Sequence, residues 1–195
     1  MKSILFLVVL ITLSAPVYAQ TDVQASEIIN QFNDGKALNF ENVTIVGDLD
    51  LSNLKDSKST CVYPEKGKKV DVITNFVTHG VLFKNCVFKG KFILFHLDNS
   101  GSMKKEFRVQ FNENVVFEKC VFEQSVDFEL TNFNKAVSFE SSNFKAQPRL
   151  VRMGVYQKPN LTGLILEKGC LFQFDQTKKA QVFTLKELMK VAEAM

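Results

Sequence analysis

The side chains that offer chemistry in this chain of 195 residues are four cysteines, two histidines and lysines gathered in two stretches. Cys86 and Cys120 are candidates for a disulfide, because an exported chain meets an oxidising compartment; two packed thiols are the alternative. His79 and His96, with Asp98 and Cys61, are residue types that ligate metals, but their spacing is irregular and two surface histidines beside loops need no metal. Lys55, Lys58, Lys66, Lys68 and Lys69 face only Asp56 and Glu65, and Lys104, Lys105 and Arg108 form a second group. Such clusters attract anionic partners, or simply keep a loop solvated. There is no Cys-x-x-Cys, no glycine-rich phosphate loop, no nucleophile elbow and no paired-histidine motif. Glu118, Glu123, Asp127 and Glu140 read as solubilising. No catalytic residue and no cofactor is expected.

What brings these residues together depends on the elements that carry them. Large apolar residues stand at Phe111, Phe117, Phe122, Phe128, Phe133, Phe139, Phe144, Leu150, Val155, Leu161, Leu166 and Phe172, with gaps that alternate 6 and 5. Neither a helix of period 3.6 nor a strand of period 2 spaces them this way. Two residues before most of them sits a smaller one: Val109, Val115, Cys120, Val126, Thr131, Val137, Ser142. A fixed alternation of this kind marks a repeat. Each block reads as a short extended segment and a turn, with its two inward residues filling one side of a hollow square. Four blocks, 22 residues, close one turn, and turns stack at about 4.8 Å. No single turn buries its inward face alone, so the coil is stable only as a stack.

The pattern resembles the pentapeptide-repeat family, and more narrowly its Phe-rich variety with 5/6 spacing, as in Cys120-Val121-Phe122-Glu123-Gln124-Ser125-Val126-Asp127-Phe128. Phe stands where the simplest family pattern has Leu, and Val or Cys where it has Ala. The resemblance implies an all-β solenoid, a right-handed quadrilateral β-helix. It implies no activity, since members share none. Phe83, Phe88, Phe111, Phe117, Phe122, Phe128, Phe133, Phe139 and Phe144 are the expected core. The 19 Phe and the absence of Trp therefore belong to packing rather than to a site.

Lys2, the apolar run from Ile4 to Leu13 and Val17-Tyr18-Ala19 read as a signal peptide over 1–19, so export to the periplasm or the exterior is expected. The run is too short to span a bilayer, and no integral membrane span is expected in the mature chain. Over 20–37 an N-terminal capping helix is expected, with Ser26 as its cap, Ile28, Ile29 and Phe32 as its face and Gly35 ending it. The β-helix follows over 38–174, with between four and five turns. A C-terminal helix over 183–195 opens on the capping box Thr184-Leu185-Lys186-Glu187, with Leu185, Leu188, Met189, Ala192 and Met195 as its apolar face.

The grid lapses twice, at about 52–76 and 95–108. From Leu51 to Val77 the phase requires 21 inserted residues, and from Leu94 to Phe111 it requires 12. Both lapses leave the same corner on consecutive turns, which predicts two neighbouring loops forming one patch. Arg152 lies at that corner two turns on. Cys86 and Cys120 share a grid position on successive turns and should stack; Cys170 is inward on another side, and Cys61 is exposed in the first insertion.

The expected function is a non-catalytic exported interaction or structural module. Its partner would be an unknown protein or an anionic envelope component, met through Lys66, Lys68, Lys69, His96, Lys104, Lys105 and Arg152. A homodimer through a flat side fits the same shape. A DNA mimic like the topoisomerase-binding members of the family is the contrasting reading. Those are cytoplasmic and acidic, whereas this chain has an export signal and a net charge of +3, so no nucleic-acid partner is expected. A metal or enzymatic site at the His79/His96 corner is the third.

Overall fold

The computed structural model describes residues 20–62, 69–173 and 181–193. The chain is an all-β solenoid: it visits four sheets of mostly parallel strands in a fixed order, and its two helices are short. After β1 (Thr21–Gln24) and α1 (Ala25–Asn33), the first turn is β2 (Leu38–Glu41), β3 (Val43–Val46), β4 (Leu49–Asp50) and, beyond β5 (Ser57–Val62), β6 (Val70–Val77). The second is β7 (Val81–Lys84), β8 (Val87–Phe88), β9 (Phe92–Ile93) and, beyond β10 (Phe95–Asp98), β11 (Lys104–Phe111). The third is β12 (Val115–Glu118), β13 (Val121–Phe122), β14 (Val126–Asp127) and β15 (Asn132–Phe133). The fourth is β16 (Val137–Ser138), β17 (Asn143–Phe144), β18 (Arg149–Val151) and β19 (Gly154–Val155). A bridge at Asn160, then β20 (Ile165–Leu166) and β21 (Cys170–Gln173), make the last, incomplete turn. β22 (Gln181–Phe183) pairs antiparallel with β21 and leads into α2 (Leu185–Glu193). The first strands of these turns form face one, the second face two, the third face three and the fourth face four.

Register confirms the phase. Uninterrupted turns pair residues 22 apart, as at Asn112 and Asn134. Across the first insertion the offset is 43, as at Asp48 and Lys91, and across the second Val81 pairs with Val115, 34 residues on. The excesses are the 21 and 12 residues read from the grid.

All nine core phenylalanines are buried, none more than 5% exposed. On face one Phe40, Phe83, Phe117 and Phe139 stack with centroids 5.4–5.6 Å apart. On face two Phe88, Phe122 and Phe144 stack at 4.5–4.6 Å. Burying one such side chain contributes about 1.5–3 kcal/mol, and each ring pair about 0.5–1.5 more. At the corner between faces one and two, Asn42, Asn85, Lys119, Ser141 and Gly163 all adopt left-handed backbone, with φ from 51° to 66°. The turn is therefore set by the coil's geometry and only partly by residue type, since Asn and Gly tolerate it best. Gly90 is required for another reason: a Cβ there would lie 2.1 Å from the Gly47 carbonyl oxygen on the turn below.

The ends differ from expectation in detail. β1 extends face two by pairing with β3, so α1 begins at Ala25 behind an extended Gln24 that makes no side-chain cap, and Ser26 is not the cap. Gly35 does adopt the left-handed conformation, φ +66°. In α2 the capping box forms: Thr184 N–H and Oγ1 donate to Glu187 Oε2 at 2.7 and 2.8 Å. Among the described side chains its face is Leu185, Leu188 and Val191, while Met189 points to solvent; the Ala192 side chain and Met195 lie outside the description.

Candidate functional site

Both insertions leave the corner between faces three and four, and they are hairpins rather than loops. β5 pairs antiparallel with β6, β10 pairs antiparallel with β11, and β6 and β11 run parallel over eight residue pairs, Val70 with Lys104 to Val77 with Phe111. The result is one sheet, β10-β11-β6-β5, whose inner strands run straight out of the coil as a flange. Asn75 roots it. Fully buried at the small inward position of face four, it accepts from Leu54 N–H at 2.8 Å and donates to the carbonyls of Ser52 and Arg108 at 2.8 and 3.0 Å. One amide thereby ties the start of the first hairpin to the second, and every bond it makes is to backbone. Its sequence signal was an Asn at a grid position that holds Val109, Thr131 and Met153 on the later turns.

Pairing register sorts the flange into two faces, because residues directly opposite share a face. One carries Lys58, Thr60, Val62, Val70, Val72, Lys104, Glu106 and Arg108. The other carries Cys61, Asp71, Ile73, Lys105, Phe107, His96 and Asp98. On the first, Glu106 is buried and takes Lys104 at 2.9 Å and Arg108 at 2.5 Å. Burial alone would raise its pKa; the hydrogen bonds from Arg108 and Lys104 overcome that and hold it below the usual carboxylate range. Every residue of β5 is exposed, and the outer edges of β5 and β10 have no strand partner among the described residues.

The expected partner-binding residues separate accordingly. Lys66 and Lys68 lie outside the described residues. Lys69 and Lys105 are exposed. Lys104 and Arg108 share Glu106. The His96 ring packs on Phe107, centroids 5.7 Å apart. Arg152 does lie at the same corner, on the fourth turn, but it is paired: Glu129, 5% exposed, holds Arg152 at 2.5 Å and Arg149 Nε at 2.7 Å. Glu129 had no signal beyond its place at the same corner as the insertions. Among the described residues of the two insertions, the exposed lysines outside any ion pair are Lys55, Lys58, Lys69 and Lys105.

His79 lies elsewhere, between β6 and β7, with its ring 5.9 Å from that of Phe32 on α1. Both ring nitrogens are buried without a hydrogen-bond partner, and burial lowers the imidazole pKa. Asp98 is held low by hydrogen bonds from the Ser100 side chain and backbone in the β10–β11 turn. Among the described residues no three His, Cys, Asp or Glu side chains gather as a metal site requires.

Cys86 and Cys120 stack as expected and stand as free thiols, not a bridge. Each donates to a carbonyl one turn back, Cys86 Sγ to Phe40 O and Cys120 Sγ to Phe83 O, both at 3.3 Å. Ser142, next in the column, does the same to Phe117 O at 3.0 Å. A small donor at this corner satisfies a carbonyl that the stacked turns would otherwise bury, so the column's role is structural. The contact with Cys86, then burial, push the Cys120 thiol far up; burial pushes the Cys170 thiol up to about 11. The same contact draws the Cys86 thiol down, so reluctance to ionise, which makes a thiol inert, belongs to Cys120 and Cys170. No family model, no curated protein and no solved structure matches this chain.

Proposed function

We propose that the protein is an exported, non-catalytic member of the pentapeptide-repeat class, with a right-handed quadrilateral coil, that captures a partner through the flange. The observation that supports this most is that two insertions of unequal length, on consecutive turns, knit into one sheet at one corner. Such a sheet offers a partner two open edges and two faces, while the rest of the column offers outward residues of short strands. Two-residue corners suffice elsewhere, as at Glu129-Leu130, so the coil does not need the flange. An unpaired edge gives main-chain affinity to an extended segment, and alternate side chains give selectivity. The exposed Lys58, Lys69 and Lys105 favour an acidic protein or an anionic envelope component, and the same basic character disfavours nucleic-acid mimicry.

Replacing 95–108 with Glu-Leu, the pair at 129–130, tests the proposal. The coil should melt as before, within a few degrees, and capture of partners from extracytoplasmic extracts should fall at least tenfold. Undiminished capture by the shortened protein overturns the reading.

A further inference from the structure

The interior of the coil changes character at its C-terminal end. Phe133 is followed one turn on by Val155, and Phe144 by Leu166. Leu161 likewise stands one turn beyond Phe139, next to the bridge of Ser138 with Asn160. Three rings are replaced by smaller side chains, and all three of these are only half-buried. The space they vacate is a cavity of about 260 Å³. Phe139 and Phe144 form its floor, while Leu188 and Val191 of α2 close over it. An apolar cavity of roughly 150 Å³ stays dry and takes up benzene, so this one accommodates roughly ten carbon atoms.

The wall has one charged group among the described residues, Arg152. Its guanidinium gives one amino group to Glu129 at 2.5 Å, and its side chain is 36% exposed. A guanidinium carries five N–H donors in a fork that fits a carboxylate. An apolar hole with a single cation at its wetter side matches an alkyl chain ending in an anion. Glu129 engages one amino group of Arg152, which leaves the rest of its fork to meet a ligand's carboxylate, and a membrane surface would need a flat apolar face rather than a hole beneath a helix.

We propose that this end of the coil binds a monomeric alkyl carboxylate of about the size of decanoate, its chain between the Phe139/Phe144 floor and α2 and its carboxylate on Arg152. Calorimetric titration of the full chain with octanoate, decanoate and dodecanoate, each below its micellar concentration, tests it. Affinity should rise about tenfold from octanoate to decanoate, since each buried methylene contributes three- to fourfold, and level off once the cavity is full. Arg152→Gln should weaken decanoate about tenfold while leaving decanol within twofold. Restoring the rings with Val155→Phe, Leu161→Phe and Leu166→Phe together should abolish binding of both ligands and raise Tm, and Leu161→Phe alone should weaken decanoate at least fivefold. No uptake of decanoate by the unaltered chain overturns the proposal. So does undiminished binding by Leu161→Phe, equal loss of decanoate and decanol in Arg152→Gln, or binding to phosphatidylglycerol vesicles with none to monomeric decanoate.

Discussion

The two ends of the coil are closed by helices of the same length, nine residues each, and they are closed differently. At the N-terminal end Ala25, Ile28 and Phe32 of α1 are all buried, and in the layer beneath Leu38, Ile45, Leu49 and Leu51 are buried, with Phe40 and Val43 half-buried. At the C-terminal end Leu188 is buried, Leu185 and Val191 are half-buried, and Met189 is 41% exposed. In the layer beneath, Leu164, Cys170 and Phe172 are buried, but Val155, Leu161 and Leu166 stay half-buried around a cavity. Each end layer carries one ring, Phe40 on face one at the N-terminal end and Phe172 on face three at the C-terminal end, so the layers themselves do not explain the contrast. The fit of the helix does. Ala25 sits against Gly47, close enough that a Cβ on that glycine would lie 3.8 Å from the alanine methyl. Two small residues let α1 settle onto the coil, whereas α2 meets its layer with Leu185, Leu188 and Val191. An amphipathic pattern is sufficient to place a helix over a solenoid end; small residues at the contact decide whether it seals it.

Truncation should separate the ends most. Ile28→Ala removes a fully enclosed side chain and leaves a hole that close packing on every side cannot fill, so it should cost about 3–4 kcal/mol. Leu188→Ala enlarges a space that already exists beside solvent, and should cost about 1–2 kcal/mol. Urea unfolding of the two variants measures the gap. Equal costs would mean that both ends are sealed alike and that the cavity collapses.

Enlargement should then reverse the sign within a single ladder. Ile45, Phe88, Phe122, Phe144 and Leu166 stack in register on face two, from one end to the other. Ile45→Phe adds volume where none is free and should destabilise by about 1–3 kcal/mol. Leu166→Phe adds the ring that the three turns before it carry, into open space, and should stabilise by about 0.5–2 kcal/mol. The same chemical change at two heights of one column thus reads the packing directly, and a loss at both would show that the C-terminal layer has no room.

The ladders were legible because the inward position is a property of spacing alone, and spacing is visible in letters. The lengths of the insertions were legible for the same reason, and they reappear as the 43- and 34-residue offsets at Lys91 and Val115. That the insertions are strands was not. Val70, Val72 and Thr74 alternate as a strand should, but pairing with Lys104, Glu106 and Arg108 is what makes it one, and partners 34 residues apart leave no local mark. Ser26 looked like a cap until β1, holding the chain extended to Gln24, set the cap and the start of α1 two residues earlier. Asn75 and Glu129 drew no notice in the sequence, because the Arg108 carbonyl and the arginines that help satisfy them arrive from the next turn. At the C-terminal end the change from Phe133, Phe139 and Phe144 to Val155, Leu161 and Leu166 was in plain view. The empty volume it leaves was not, since that depends on how closely α2 approaches.

The smallest expected difference between the ends is in their response to acid, and it belongs to His79. This imidazole is packed beneath Phe32 with neither nitrogen bonded, and burial sets its folded pKa below the unfolded value near 6.5. The unfolded chain therefore binds the proton first. Stability is complete above about pH 7.5, begins to fall as pH drops through 6.5, and keeps falling until the folded pKa is reached. Because the ring is partly exposed, the effect should be modest, a fall in Tm on the order of 1–3 °C between pH 7.5 and 5.5. His79→Phe keeps a ring under Phe32 and removes the titration, so its Tm should stay level across that interval and match or exceed the parent's at pH 7.5, where two unsatisfied nitrogens have been removed. Leu188→Ala, at the other end, should leave the slope as it was. A parent slope that survives in His79→Phe would move the acid sensitivity away from the N-terminal seal, and the two ends would then differ in packing alone.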